Sequence, residues 1–386
     1  MRNPLPQDVY LRRTKPTTPD IRAEYFRDQT KIIHSYPFRR LKHKTQVFYA
    51  PDNDHVCTRI EHVLHVATIA ATICRGLNLS GEDWQLDTEL AYAIGLGHDL
   101  GHAPFGHEGE KALALKLGTA KSFVHEINSY RVVEHLANHG QGLNLTYAVK
   151  DGIICHNGED FKEAGLVPSK APNDLENIRD RVCMPSTYEG CIVRLSDRIA
   201  YLGRDIEDAI MAGLITRDDI PPKVAASLGR TNAEIIDALI ADVVKTSKAS
   251  EAVGFSPERH ALVAELGAFN YERIYYHPKL VKYHRHIKTI IDTLYDYFIE
   301  LFKERGTDFA AYAAMDLDVD RNFGRYVEQL RPIYEKEGYN GKVIVTDYVA
   351  GMTDSFALDC MRQISIPQPM HIRRPRRDGS SDPALP

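Results

Sequence analysis

The stretch Gly97-His98-Asp99-Leu100-Gly101-His102-Ala103-Pro104-Phe105-Gly106-His107-Glu108-Gly109-Glu110 decides how this chain is read. Its histidines and acids need partners, or a metal that takes up their lone pairs, if they are buried. His98 and Asp99 together offer a nitrogen and an oxygen ligand from adjacent residues. The flanking pattern is helical. Thr88 to Leu100 reads as a largely apolar, buried helix. Pro104 and the glycines break the pattern, and a helix resumes at about Glu108 and runs to Leu117.

Working outward, the helical period persists. Ile60 to Leu77 carries an apolar stripe of Val63, Val66, Ile69, Ala70 and Ile73. Helices are expected over Ser122 to Asn138, Leu145 to His156, Tyr188 to Met211, Asn232 to Val244, Pro257 to Leu266 and Leu280 to Arg305. The polar stretch from Gly158 to Pro185 reads as a surface loop. Alternation of β-branched residues is almost absent, and no repeat of fixed period is found. The fold class expected is all-α. After Ile364 the prolines and the Arg373-Arg374-Pro375-Arg376-Arg377 cluster predict a basic tail without its own core, either a solubilising end or an arm for nucleic acid.

Composition narrows the function. At 386 residues with 43% hydrophobic content the chain can bury a large core. A net charge of −5 argues against bulk coating of nucleic acid. The six cysteines form no C-x-x-C pair, which argues against a zinc ribbon or a redox motif. The first residues lack the apolar run of a signal peptide, and no stretch has the eighteen apolar residues of a membrane span. A cytoplasmic protein with reduced thiols is expected. Gly95, Gly97 and Gly101 are misspaced for a dinucleotide loop, and no strand precedes them. A P-loop, a zincin motif and a G-x-S-x-G elbow are missing from the sequence.

A mononuclear metal site needs several ligands on rigid elements, with positions left open for water and substrate. His62 lies three residues after Arg59, so both share one helix face, a ligand beside a phosphate-binding cation. Asp197 is an acid inside an otherwise apolar helix, with Tyr201 and Asp205 following at four-residue steps. His62, His98, Asp99 and Asp197 form a mixed nitrogen and oxygen set suited to Mn, Fe, Co, Ni or Zn, with no thiolate to select zinc.

The order H…HD…D resembles the HD-domain metal-dependent phosphohydrolases, and within them the deoxynucleoside triphosphate triphosphohydrolase (dGTPase-like) branch. The resemblance runs from about Tyr25 to Leu358. It rests on Phe38-Arg39-Arg40-Leu41, Lys44-Thr45-Gln46-Val47-Phe48, Thr58-Arg59-Ile60-Glu61-His62 and His98 through His107. It continues in Gly142-Leu143-Asn144-Leu145-Thr146, Asp197-Arg198-Ile199-Ala200-Tyr201 and Tyr348-Val349-Ala350-Gly351-Met352-Thr353-Asp354. It implies an all-helical HD phosphohydrolase bundle with additional C-terminal helices. The organisation expected is an N-terminal segment over 1–54, an HD core over 55–210, a C-terminal helical region completing the pocket over 211–363 and a flexible basic tail over 364–386.

The resemblance further implies metal ligands His62, His98, Asp99 and Asp197, with Mn or Mg the first ions to assay. It implies phosphate contacts from Arg59, His102 and His125, a catalytic dyad of His107 and Glu110, and sugar-side contacts from Gln46, Tyr201, Asp205 and Tyr275. The implied reaction splits a dNTP, with dGTP one candidate, into deoxynucleoside and inorganic triphosphate. A homo-oligomer is expected, and a nucleotide effector or single-stranded nucleic acid is a further candidate partner. Two departures stand out: Glu61, where a small polar or basic residue is commoner, and His125-Glu126-Ile127-Asn128 in place of His-Asn-x-Gln.

The residue types fit this chemistry. Water attack at the α-phosphorus expels the sugar 5′-oxygen, and a general acid aligned with that oxygen helps by roughly 10²–10⁴-fold. His107 is the candidate, with Glu110 one helical turn on to fix its tautomer. The sequence leaves open whether His107 acts as acid or as base. Two rivals also remain: another HD phosphohydrolase, such as a nucleoside monophosphatase or an alarmone hydrolase, and a non-catalytic nucleotide or single-stranded DNA sensor.

Overall fold

Helix Arg59–Asn78 starts where Thr58 leaves the helical conformation, and Glu61 closes that end by accepting from the Thr58 amide at 2.7 Å. This is the acidic arm of a capping box, so the unusual Glu61 has a local structural reason. The computed structural model describes residues 1–48, 55–80, 84–157, 164–248 and 250–367. The basic cluster Arg373–Arg377 lies outside them.

The architecture is all-α. Arg59–Asn78 packs against Thr88–Gly97 and Tyr188–Met211, and Asn232–Ser247 covers the last of these. Glu24–Ile33 and Tyr147–Ile154 close over Thr88–Gly97 from other sides. Gly95 sets the tightest approach. A Cβ there would stand 2.6 Å from the Ala67 Cα, so only glycine lets these two backbones meet. The apolar stripe read from the sequence supplies the interface, with Val63, Val66, Ile69, Ala70 and Ile73 all buried. A second apolar cluster lies beside the first. There Gly106–Leu117 packs on Pro278–Arg305, with Gly341–Ala350 and Asp354–Ser365 behind.

Three local expectations change. The second helix ends at Gly97, not Leu100, so His98 and Asp99 occupy the turn that follows. Successive side chains on a helix diverge by about 100°, and the turn is what lets both face one site. The single helix expected over Ser122 to Asn138 is broken. It is regular over His125–Arg131, widens to a π-turn over Val132–Leu136, and ends where Asn138 and His139 take left-handed conformations. A minimal antiparallel pair, Gly165–Leu166 with Val253–Gly254, ties the 164–185 loop to the C-terminal half. At two residues a strand is too short to show any alternation.

Candidate active site

Three elements deliver the four metal-type donors. His62 comes from the first turn of Arg59–Asn78, His98 and Asp99 from the turn after Thr88–Gly97, and Asp197 from the middle of Tyr188–Met211. The structure brings all four together. His62 Nε2 is 2.9 Å from Asp197 Oδ1, and His98 Nε2 is 3.9 Å from that oxygen and 3.8 Å from Asp99 Oδ1. His98 Nδ1 lies 2.7 Å from the Gly95 carbonyl oxygen, which only accepts. The ring proton therefore sits on Nδ1, and Nε2 carries a lone pair. That Nε2 is buried and has no hydrogen-bond partner among the described residues, an orphan that a cation would satisfy.

The protonation pattern also suits a cation, which needs neutral imidazoles and ionised carboxylates. Burial holds His98 below its ordinary pKa. Burial pushes Asp99 upward, but Arg59 and the neighbouring histidines outweigh it and hold the carboxyl well below its usual range. Asp197 follows the same logic, with His62 bringing it to about 2 against burial.

Arg59 is fully buried and pairs through Nη1 with Asp99 Oδ2. Its Nε and Nη2 have no hydrogen-bond acceptor among the described residues, and the side chain lines a cavity of about 730 Å³. Buried guanidinium donors without acceptors are strong sites for an anion. Gly106, at φ +65°, opens the adjacent wall. A Cβ there would lie 3.0 Å from the Gln46 carbonyl and 3.4 Å from Arg59 Nη2.

The His107–Glu110 pair is present but shared. His107 Nδ1 is 3.4 Å from Glu110 Oε2, whereas His125 Nδ1 is 2.9 Å from the same oxygen. Arg181 Nη2 and the His125 amide reach Glu110 Oε1 at 3.0 and 3.1 Å. Burial pushes Glu110 up, but His125, and then hydrogen bonds from His107 and His125, hold it well below the usual carboxylate range. His107 stands at the cavity rim with its side chain 41% exposed. His102 does not line the cavity. It is buried beneath, stacked on His125 with ring centroids 4.6 Å apart and its Nε2 3.6 Å from Glu110 Oε2.

The rest of the lining differs in character. Gln46 lies beside Arg59 at Gly106, and Tyr201, Asp205 and Tyr275 join Tyr271, Tyr276 and apolar residues of the helices at 257–270 and 278–305. Tyr275 sits in the π-turn Tyr271–Tyr275 and donates its hydroxyl to Asp205 Oδ2. Burial pushes the Asp205 carboxyl up to about 7. A cavity lined by cationic and metal-type groups and by aromatic side chains fits an amphipathic anion such as a nucleotide.

Comparison with known proteins gives the family of the chain. Residues 59–202 match the HD domain family, and residues 253–363 match the phosphohydrolase-associated domain. A deoxyguanosinetriphosphate triphosphohydrolase-like protein of Caldanaerobacter subterraneus is 38% identical over 352 residues, covering 91% of this chain and 87% of the relative. Proteins of the same name from Desulfatibacillum aliphaticivorans and Clostridium tetani are 37% and 34% identical, covering 93% and 94% of this chain and 92% and 91% of the relatives. The chain belongs to the HD-domain, deoxyguanosinetriphosphate triphosphohydrolase-like family. Membership makes it an all-helical HD-domain hydrolase. Among the described residues, no helix is long and apolar enough to cross a membrane.

Three residues of this HD site escaped the sequence reading. Arg181 comes from the loop expected to lie only on the surface, yet it bridges Glu110 and Glu126, the latter at 2.9 Å. Glu126, noted only as an irregularity beside His125, is buried there. The sequence pattern carries a helix through to His156. The helix stops at Ile154, and His156 turns inward, with its ring centroid 4.9 Å from that of His98. A histidine at the close of an apolar helix was the one available signal. For Arg181 no local signal existed.

Proposed function

We propose that the protein hydrolyses a deoxynucleoside triphosphate to the deoxynucleoside and inorganic triphosphate by water attack at the α-phosphorus. The observation that carries the reading is one cavity with two kinds of lining. His62, His98, Asp99 and Asp197 converge beside the unsatisfied donors of Arg59, and Tyr201, Asp205, Tyr275 and Tyr271 line the same space. The names of the relatives support the same activity.

In this reading His62, His98, Asp99 and Asp197 hold one divalent ion, Mn or Mg before Co, Fe, Ni or Zn. When bound, that ion supplies Lewis acidity to the reacting phosphate. Arg59, held by Asp99, turns Nη2 and Nε toward the triphosphate, and His125 and Arg181 add positive charge on the side of Glu110. His107 gives a proton to the departing 5′-oxygen from the ring edge opposite Nδ1. Glu110 fixes the tautomer and stabilises the imidazolium until that proton leaves, and the proton released by the attacking water restores it. His102, behind the cavity, supports Glu110 and His125 from below. Asp205 and Tyr275 act as one hydrogen-bonded unit against the sugar, with Gln46 and Tyr201 beside it. The same reading expects a homo-oligomer, which light scattering measures directly.

The test is product identity. The purified chain is incubated with each of the four dNTPs and with Mn²⁺, Mg²⁺ or Co²⁺, and the products are separated by ion-exchange chromatography. Deoxynucleoside and intact triphosphate in equal amounts are expected. Orthophosphate or pyrophosphate as the first product overturns the reading, as does tight dNTP binding without turnover.

A further inference from the structure

Two segments run side by side next to Arg181, a residue of the cavity wall. Asn157 donates from its side-chain amide to the Arg181 carbonyl oxygen. Arg194 Nη2 reaches the Asn157 carbonyl oxygen at 3.2 Å, and its Nη1 reaches Met184 Sδ at 3.3 Å. Asn173 Nδ2 lies 2.9 Å from the Met184 carbonyl oxygen and 3.7 Å from Cys155 Sγ. Residues 155–157 follow the helix Tyr147–Ile154, and residues 181–184 close the 164–185 loop. Where the two segments meet, the thiols of Cys155 and Cys183 hydrogen-bond to each other. A long loop separates the two cysteines, so no C-x-x-C spacing announces the pair.

The two thiols are unlike. Cys155 is buried and Cys183 is partly exposed. The hydrogen bond from Cys155 outweighs burial and brings the Cys183 thiol down to about 7. The same bond, with burial, pushes Cys155 well up. Cys155 is therefore the donor and Cys183 the acceptor. Near neutral pH Cys183 has a large thiolate fraction, and the thiolate is the form that attacks. The other cysteines, Cys57, Cys74, Cys191 and Cys360, are buried, and burial pushes each thiol up. An oxidant arriving from solvent meets one nucleophilic sulfur, with a second thiol already against it.

A hydroperoxide completes the chemistry. The Cys183 thiolate attacks a peroxide oxygen, so an S–O bond forms and the O–O bond breaks. The departing hydroxide takes a proton from solvent and becomes water, leaving a sulfenic acid. Cys155 Sγ then attacks the sulfenic sulfur. The S–S bond forms, the S–O bond breaks, and the leaving hydroxide carries off the Cys155 proton as a second water. The two sulfurs give up two electrons, and the peroxide oxygens take them. A disulfide spans about 2.05 Å, so the sulfurs must draw closer than in the hydrogen bond. Cys155 follows a helix whose residues are all buried, so the loop is the part that yields, with Arg181 two residues from the new bond.

We propose that Cys183 and Cys155 form a peroxide-sensitive modification site, oxidised to a reversible disulfide that pins the Arg181 loop to the end of the helix Tyr147–Ile154. No nucleotide takes part, so the site stands or falls apart from the proposed hydrolysis. The reduced full chain is treated with hydrogen peroxide, its thiols are counted after denaturation, and its peptides are mapped by mass spectrometry. Two of the six thiols should be lost, in one intrachain bridge between the Cys155 and Cys183 peptides, and dithiothreitol should return both. The rate should rise about tenfold per pH unit below pH 7 and level off above it, as the thiolate fraction does. Cys183→Ser should slow the loss of thiols by about tenfold or more. Cys155→Ser should keep the fast step and stop at a Cys183 sulfenic acid, which dimedone labels. If either variant fails to fold, brief iodoacetamide labelling of the native reduced chain decides in its place, with Cys183 expected to react first. Thiols that survive the peroxide, a bridge between other cysteines or between chains, or equal labelling of several thiols overturns the site, as does over-oxidation of Cys183 with Cys155 still free.

Discussion

The Glu110 carboxylate is approached by His107, His125, His102 and Arg181, and its work is divided among them. With His125 closer than His107, Glu110 anchors the inner ring firmly and the rim ring loosely. A loosely held, half-exposed His107 can turn toward a leaving oxygen and exchange its proton with solvent. His107→Ala should therefore lower turnover by about 10²–10⁴-fold while leaving Mn content unchanged, read by activity and by metal analysis of one preparation. Loss of the ion would instead make His107 a ligand. Asp99→Ala should remove both metal and turnover, because it takes away a donor and leaves Arg59 as a buried cation without its anion.

At the scale of elements, Asp354 locks three segments together. Its Oδ1 accepts from the Phe105 amide at 2.8 Å, and its Oδ2 accepts from the Thr45 amide and hydroxyl at 2.8 and 2.5 Å. Phe105 is held in a left-handed conformation, φ 62°, immediately before the helix that carries His107. A buried amide left without its acceptor costs about 1–3 kcal/mol. Asp354→Ala leaves two, so a loss of roughly 2–6 kcal/mol is expected in urea unfolding, with Asp354→Asn recovering part of it. Glu189 ties the N-terminus to the core, accepting from the Asn3 side chain and the Asp87 amide at 2.7 Å each. Burial pushes its carboxyl from an ordinary 4.5 up to about 7. The native chain then holds a proton that the unfolded chain releases between those values. The stability from this group is full below about pH 4.5 and is lost as pH rises through about 7, on the order of 3 kcal/mol. Glu189→Gln should flatten that decline. Equal slopes for the two proteins between pH 5 and pH 8 would show that Glu189 does not titrate there.

At the scale of the whole molecule, the cavity lies where two apolar clusters meet. Ala103, Phe105 and Leu113 belong to the C-terminal cluster although they follow the His-Asp pair by only a few residues. Lys44 joins the same seam, donating to the His102 and Ala350 carbonyls. The HD segment therefore has no complete core of its own. A chain ending at residue 277 exposes that apolar face, and it should be insoluble or lack a cooperative thermal transition in calorimetry. A sharp transition near that of the full chain would show that the halves fold independently.

Most of the long central helices and the candidate donors were legible in short-range patterns, a 3.6-residue apolar period and the adjacent pair His98 and Asp99. Tyr188–Met211 was legible end to end for that reason. Packing of distant segments sets which groups share Glu110, that Arg181 reaches it from 71 residues away, and that His156 faces His125 across 31. Those contacts depend on how helices stack and where a loop returns, and no local spacing encodes a distance between segments that meet only after the core has closed.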